Sequence, residues 1–205
     1  MFVDGIGGRR CMRRALMTRL AANGHACHYF DYRPSRQPLD AIQAMLADRL
    51  RLVAEAGSYV LVGYSFGGVL ARSTLTAFPG LPQPSRLLLV ASPTRSLRMC
   101  RAVSHLAIFR WLTGESGALL ASDRAMNEIG FPEVCTTCIY GTAPLARRFS
   151  LAGAGTNDGM VSVEEIEPQR FQDSVPVPVS HPFIPGDRAV IDAIATRLGT
   201  FRGAA

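Results

Sequence analysis

Between Tyr59 and Val69 the chain reads Tyr-Val-Leu-Val-Gly-Tyr-Ser-Phe-Gly-Gly-Val. An apolar run breaks at a glycine, passes a serine, meets a second glycine and enters helical spacing. Few backbones can carry that sequence. The run 59–62 suits a strand covered on both faces, as in a parallel sheet. The residues from Phe66 to about Ala77 suit a helix packed back onto that strand. The turn between them has to be sharp, and side chains at Gly63 or Gly67 would collide with neighbouring backbone. A strand, turn and helix of this kind belong to a chain built from β-α-β units, an α/β fold with a parallel sheet.

The rest of the chain keeps the rhythm. Residues 1–4 read as a short strand running into the turn Asp4-Gly5-Ile6-Gly7-Gly8. Residues 9–22 read as a helix with Met12, Leu16 and Leu20 on one face and Asn23-Gly24 as its stop. A second strand is expected at 26–32. Pro38 opens a helix in which Ile42, Met45, Leu46, Leu50 and Val53 repeat at helical spacing, and Gly57 ends it. Further strands are expected at 86–91, 134–140 and 174–179. A last helix runs from Asp187 through Val190, Ile191, Ile194 and Leu198 to Gly199. Two stretches break the pattern. Residues 92–132, with Phe109 and Trp111, read as short helices inserted above the sheet as a small cap. Residues 153–159 read as a flexible loop ending in Asn157-Asp158-Gly159. With 205 residues, 48% of them hydrophobic, the chain is expected to form one domain over 1–205, with 92–132 as its insertion.

The serine at the turn carries the chemistry. A G-x-S-x-G pattern is weak alone and gains weight between a buried strand and a helix. There Ser65 is lifted clear of the sheet at a helix N-terminus, where backbone N–H groups favour negative charge. A serine hydroxyl needs a base to act as a nucleophile. Of the four histidines, His25 follows a helix stop and reads as an exposed loop residue, His28 lies on a strand, and His105 lies in the insertion. His181 follows the last strand, and loops after parallel strands gather at the edge where Ser65 emerges. His181 is the expected base. Its acid should follow the preceding strand, and Asp158 fits; Glu164 and Glu165 are the fallback, with Asp173 and Asp123 weaker. The order Ser, Asp, His is that of a nucleophile-elbow hydrolase. The oxyanion of an acyl-transfer intermediate needs backbone donors, for which Phe66 and Ile6 are the candidates. A dinucleotide loop would need Gly at position 10, where Arg10 stands.

Charge excludes several alternatives. The net charge is +6, and all 22 basic residues are arginine. With no lysine there is no Walker A lysine, no pyridoxal Schiff base and no Ser-Lys dyad. Arg9, Arg10, Arg13, Arg14 and Arg19 cluster on one predicted helix, as a solvated face or a patch for an anionic partner. Cys135-x-x-Cys138 has no second pair, so no zinc site is expected, and the five cysteines read as buried reduced thiols. No window approaches the roughly 18 apolar residues of a membrane span, and no leader is evident. The expectations are a cytoplasmic protein with no integral membrane segment, no metal, no cofactor and no nucleic-acid partner.

These motifs together resemble the lipase- and esterase-like α/β-hydrolases of bacteria. The resemblance runs from Asp4–Gly8, through Gly63–Gly68 and Asn157-Asp158-Gly159-Met160-Val161, to Ser180-His181-Pro182-Phe183. It implies hydrolysis of small or lipid-like carboxylic esters, a helical cap, and Ser65, Asp158 and His181 as the triad. Two departures stand out. Asp4 occupies the place where the family usually has His before the oxyanion glycines. The chain also starts at the strand feeding that loop, so a reduced sheet of about six parallel strands with helices on both faces is expected. Two alternatives stay open: a thioesterase or acyltransferase whose arginine cluster docks an acidic carrier, and a non-catalytic protein that keeps the fold.

Overall fold

Six strands form one sheet in the order β2-β1-β3-β4-β5-β6, and every pair is parallel. They are β1 (Phe2–Val3), β2 (Tyr29–Phe30), β3 (Val60–Tyr64), β4 (Arg86–Val90), β5 (Thr136–Gly141) and β6 (Asp173–Val177). This is a computed structural model, and it describes residues 1–8, 10–144 and 151–199. The helices are α1 (Arg14–Ala22), α2 (Leu39–Glu55), α3 (Phe66–Ala77), α4 (Arg98–Val103), α5 (Ala107–Ala121), α6 (Asp123–Glu128), α7 (Val163–Ile166) and α8 (Arg188–Leu198).

The sheet is covered on both faces, which is why its central strands are apolar throughout. On one face α2 and α3 bring Ile42, Leu46, Leu50, Val69 and Leu70 against Leu61, Leu87 and Leu89. On the other, α1 and α8 bring Leu16, Leu20, Val190 and Ile194 against Val62, Leu88 and Val90. Each fully buried aliphatic side chain of this kind contributes about 1.5–3 kcal/mol. The residues 92–132 hold α4, α5 and α6.

Several boundaries differ from the sequence reading by a residue or more, and three of them bear on the site and the edge of the sheet. The helix expected over 9–22 opens as a 3-10 turn, Arg10–Arg13, and becomes α-helical only at Arg14. Arg13, the last residue of that turn, is turned inward to meet Asp4 and is fully buried. The strand expected over 26–32 pairs only at Tyr29–Phe30. It lies at the edge beside β1, which itself offers two residues. The last strand ends at Val177, where the chain bends and Val179 N–H donates to the Val177 carbonyl at 2.8 Å. The bend carries the chain to His181.

Candidate active site

The serine sits where the sequence put the turn. β3 ends at Tyr64, α3 begins at Phe66, and Ser65 between them has φ 52° and ψ −126°. A positive φ is strained for a residue with a Cβ. Packing enforces it here. A Cβ at Gly67 would overlap the Val3 and Asp4 carbonyls, and one at Gly63 would overlap the backbone of Gly68. Ser65 N–H donates to the Val90 carbonyl at 2.8 Å, tying the turn to β4.

The hydroxyl of Ser65 lies 3.0 Å from His181 Nε2, and His181 Nδ1 lies 2.6 Å from Asp158 Oδ2. A carboxylate only accepts, so Nδ1 carries the proton and Nε2 is left to accept from Ser65. Asp158 is completely buried and His181 nearly so, while Ser65 is half-buried. The acid is aimed by its own loop. Its other oxygen, Oδ1, accepts the N–H groups of Met160 at 3.0 Å and Val161 at 2.8 Å. Its backbone carbonyl accepts from His181 N–H at 2.9 Å and the Ser180 hydroxyl at 3.1 Å. The fallback acids lie elsewhere. Glu165 caps α7 and Glu164 pairs with Arg98. Asp173 pairs with Arg197, and Asp123 with Arg101.

Tyr64 is a contributor that the sequence did not single out. Its hydroxyl donates to the His181 carbonyl at 2.7 Å, and its ring lies 5.2 Å from the imidazole. Burial, with the Asp158 carboxylate adding to it, pushes this hydroxyl well above the ordinary tyrosine range, so it stays a donor.

The glycine-rich loop after β1, where the sequence suggests an oxyanion donor, is built differently. Gly8 N–H donates to the Gly5 carbonyl at 3.1 Å, closing a turn with Ile6 and Gly7 at its centre. Ile6 and Phe66 both line the cavity at Ser65. Phe66 opens α3, so its N–H has no acceptor one turn earlier. The Asp4 carboxylate is engaged away from Ser65, in an ion pair with the buried Arg13, and the Asp4 carbonyl accepts the Tyr32 hydroxyl at 2.7 Å. Arg13 also stacks on Phe2, with the guanidinium carbon 5.3 Å from the ring centre. Burial lowers the Arg13 pKa. The sequence held one signal for Arg13: it precedes Leu16 and Leu20 at helical spacing and so shares their buried face.

A cavity of about 310 Å³ opens over Ser65. Its floor is the Gly5–Gly8 loop with Ser65 and His181, and Leu97, Met99, Phe109 and Leu120 from the 92–132 region roof it. The roof is rooted in the segment after Asp158. Thr94 and Arg95 N–H groups donate to the Glu165 carbonyl, and Arg98 N–H donates to its carboxylate at 2.7 Å. Burial alone would raise the Glu167 carboxyl, but donors from Arg95, Arg170 and Thr94 outweigh it and hold it at about 2.

Other expectations need correction. The arginine cluster is not one exposed face, because Arg13 is buried in an ion pair; Arg9 and the Arg10 side chain lie outside the described residues. The cysteines are free, but Cys11 and Cys135 are exposed rather than buried. Of Cys135 and Cys138 only Cys138, on β5, is buried, and burial raises its thiol to about 12. His25 is half-buried and lies 3.1 Å from the Gly199 carbonyl. Among the described residues no cluster of His, Cys, Asp and Glu is suited to a metal, and no helix is long and apolar enough to cross a membrane.

Solved structures share this architecture. A mature Bacillus licheniformis lipase superposes with a TM-score of 0.75 over 98% of this chain and 91% of its own, at 18% identity. The chain has the α/β-hydrolase fold. A metagenomic carboxyl esterase matches this hydrolase fold with a TM-score of 0.68 over 88% of this chain and 63% of its own, at 16% identity. A thioesterase of the prodiginine biosynthetic pathway in Streptomyces coelicolor matches with a TM-score of 0.55 over 97% and 83%, again at 16% identity. No protein-family model and no curated protein sequence matches the chain. The structural likeness is thus to bacterial lipases and esterases, at low identity.

Proposed function

We propose that this α/β-hydrolase-fold protein is a serine hydrolase that cleaves carboxylic esters through an acyl-enzyme. The observation that carries the reading is the row Ser65 Oγ, His181 Nε2, His181 Nδ1, Asp158 Oδ2, with contacts of 3.0 and 2.6 Å. His181 Nε2 takes the Ser65 proton as Oγ bonds to the ester carbonyl carbon. Asp158 holds the imidazole tautomer and stabilises the imidazolium. The carbonyl oxygen becomes an oxyanion, facing the N–H groups of Phe66 and Ile6. Collapse breaks the bond to the alcohol oxygen, which leaves with the proton from His181. Water then repeats the sequence on the acyl-serine, giving acid and free Ser65.

The apolar roof of Leu97, Met99, Phe109 and Leu120 suits an acyl chain rather than a charged group. An active-site fluorophosphonate tests the assignment. Wild-type protein should be labelled and should turn over p-nitrophenyl esters, whereas Ser65→Ala should do neither; equal labelling of the two removes Ser65 from the mechanism. A second reading, a thioesterase, is favoured by the match to the Streptomyces coelicolor thioesterase. Faster turnover of an acyl thioester than of the oxygen ester with the same acyl group would replace the first reading with the second.

A further inference from the structure

We infer that Glu165 is a positioning residue that holds the loop after Asp158 against the roof of the cavity, and that a bound acyl chain does the same work, so short esters depend on Glu165 more than long ones. The inference rests on the reading of Ser65, His181 and Asp158 as a triad.

The loop after Asp158 faces two ways. The N–H groups of Met160 and Val161 aim the acid through its Oδ1, and Asp158 N–H donates to the Val161 carbonyl at 3.1 Å. The side chains of the same two residues line the cavity over Ser65. Whatever fixes Met160 and Val161 therefore fixes the direction of Asp158. The next residue, Ser162, is held by Glu165. Its N–H and hydroxyl both donate to Glu165 Oε2, at 2.8 and 2.9 Å, and its Oγ accepts the Glu165 N–H at 3.2 Å. The other oxygen, Oε1, accepts Arg98 N–H at 2.7 Å. Arg98 lies between Leu97 and Met99, two of the residues that roof the cavity. One buried carboxylate thus joins the acid loop to the roof, with an oxygen for each.

The joint needs a carboxylate. Donors approach it from both sides, and a carboxylate offers an acceptor to each. Glutamine has the same shape but one acceptor oxygen, so its NH2 group would face either Ser162 N–H or Arg98 N–H and release that side. The fold does not hang on the joint. Thr94 and Arg95 N–H groups donate to the Glu165 carbonyl, and Glu167 accepts the Thr94 hydroxyl at 2.8 Å and the Arg95 guanidinium at 2.6 Å. These contacts keep the root of the roof in place without the Glu165 carboxylate. An acyl chain can stand in for that carboxylate. Lying in the cavity, it packs on Met160 and Val161 and on Leu97 and Met99, the same two surfaces that Glu165 connects. Binding energy from the chain then goes into orientation at the reacting centre, which appears in kcat. An acetyl group brings no chain to bridge them.

Steady-state kinetics of the full chain with p-nitrophenyl acetate and p-nitrophenyl octanoate test the inference. Glu165→Gln should lower kcat about tenfold on the acetate and no more than about threefold on the octanoate, with KM for the acetate unchanged. Ser162→Ala removes only one hydroxyl from the joint and should show the same pattern at smaller size. Glu164→Gln, at the exposed pair with Arg98, should match wild type on both esters. A residue that merely kept the protein folded would lower kcat by one factor for both esters, because it would remove active molecules and leave the rest unaltered. An equal fall on the two esters therefore overturns the inference, as do wild-type constants in both Glu165→Gln and Ser162→Ala. A second measurement needs no turnover. The proton between His181 Nδ1 and Asp158 Oδ2 gives a far-downfield NMR line, which should move or broaden in Glu165→Gln while its far-ultraviolet circular dichroism stays at wild-type values. An unchanged line overturns the positioning role. If wild-type protein turns over neither ester, the proposed reaction fails, and the NMR line alone decides whether Glu165 sets Asp158.

Discussion

The two sides of the site are held by different physics. On one side Ser65, His181 and Asp158 are fixed by backbone: a strained turn wedged between Gly63 and Gly67, and an acid whose free oxygen takes two loop N–H groups. On the other, the glycine-rich loop after β1, the proposed oxyanion loop, is anchored at its root by a charged pair, Asp4 with Arg13. Backbone contacts tolerate no added atoms. A buried ion pair tolerates exchange of both members together far better than loss of one, because a lone buried charge has lost its compensation. The first side should therefore fail by collapse and the second by imbalance.

The largest effect is expected at Gly67. Gly67→Val puts a branched side chain into the Val3 and Asp4 carbonyls, and no cooperatively unfolding protein should be recovered; near-ultraviolet circular dichroism of any soluble fraction would reveal a native core if there is one. Next comes the charged pair. Arg13→Met should lower stability by about 3 kcal/mol in a urea titration. It should also reduce kcat on a p-nitrophenyl ester by roughly 10- to 100-fold. Asp4→Asn/Arg13→Met should recover most of the stability, and if the double variant is no better than the single one, the charge-balance account is wrong. A smaller loss is expected at Tyr64, which belongs to the first side and holds the His181 carbonyl. Tyr64→Phe removes one hydrogen bond, about 1 kcal/mol, and should lower kcat up to tenfold while KM stays the same. A parallel fall in both constants would show that the hydroxyl does not set the imidazole.

The smallest effect lies outside both sides and serves as their control. Two N–H groups of Arg197 donate to Asp173 at 2.6 and 2.7 Å and are the main cause that holds its carboxyl at about 2, below the ordinary 3.8. The charged form is thus favoured by folding. That contribution is complete above about pH 4 and is lost as the pH falls towards about 2. The pair is partly exposed, so about 1 kcal/mol is expected after solvent screening. Asp173→Asn should flatten the acid limb of the stability curve and leave kcat unchanged.

What the sequence disclosed follows the same division. Local rules put a strand, a strained turn and a helix at 59–77, and parallel topology required the loops after later strands to meet there. Hence Ser65, Asp158 and His181 could be paired before any coordinates. Arg13 was harder to see. Among neighbouring arginines it reads as one more solvated charge, and only its place in line with Leu16 and Leu20 betrays that it is buried. The short span of β2 was hidden for another reason: its length is set by β1, a partner distant in sequence. The exposure of Cys11 and Cys135 likewise depends on packing that no local pattern encodes.

The contact at Gly67 has one more consequence. Where α3 backs onto the end of β1, the gap between Ser65 and the Gly5–Gly8 loop is gauged by two stretches of peptide in direct touch, a ruler with no side chain in it. Repacking the leucines of the core can shift the melting point without changing that reading. Core-damaged variants should therefore lose active molecules in proportion to those that unfold, with the survivors working at full speed.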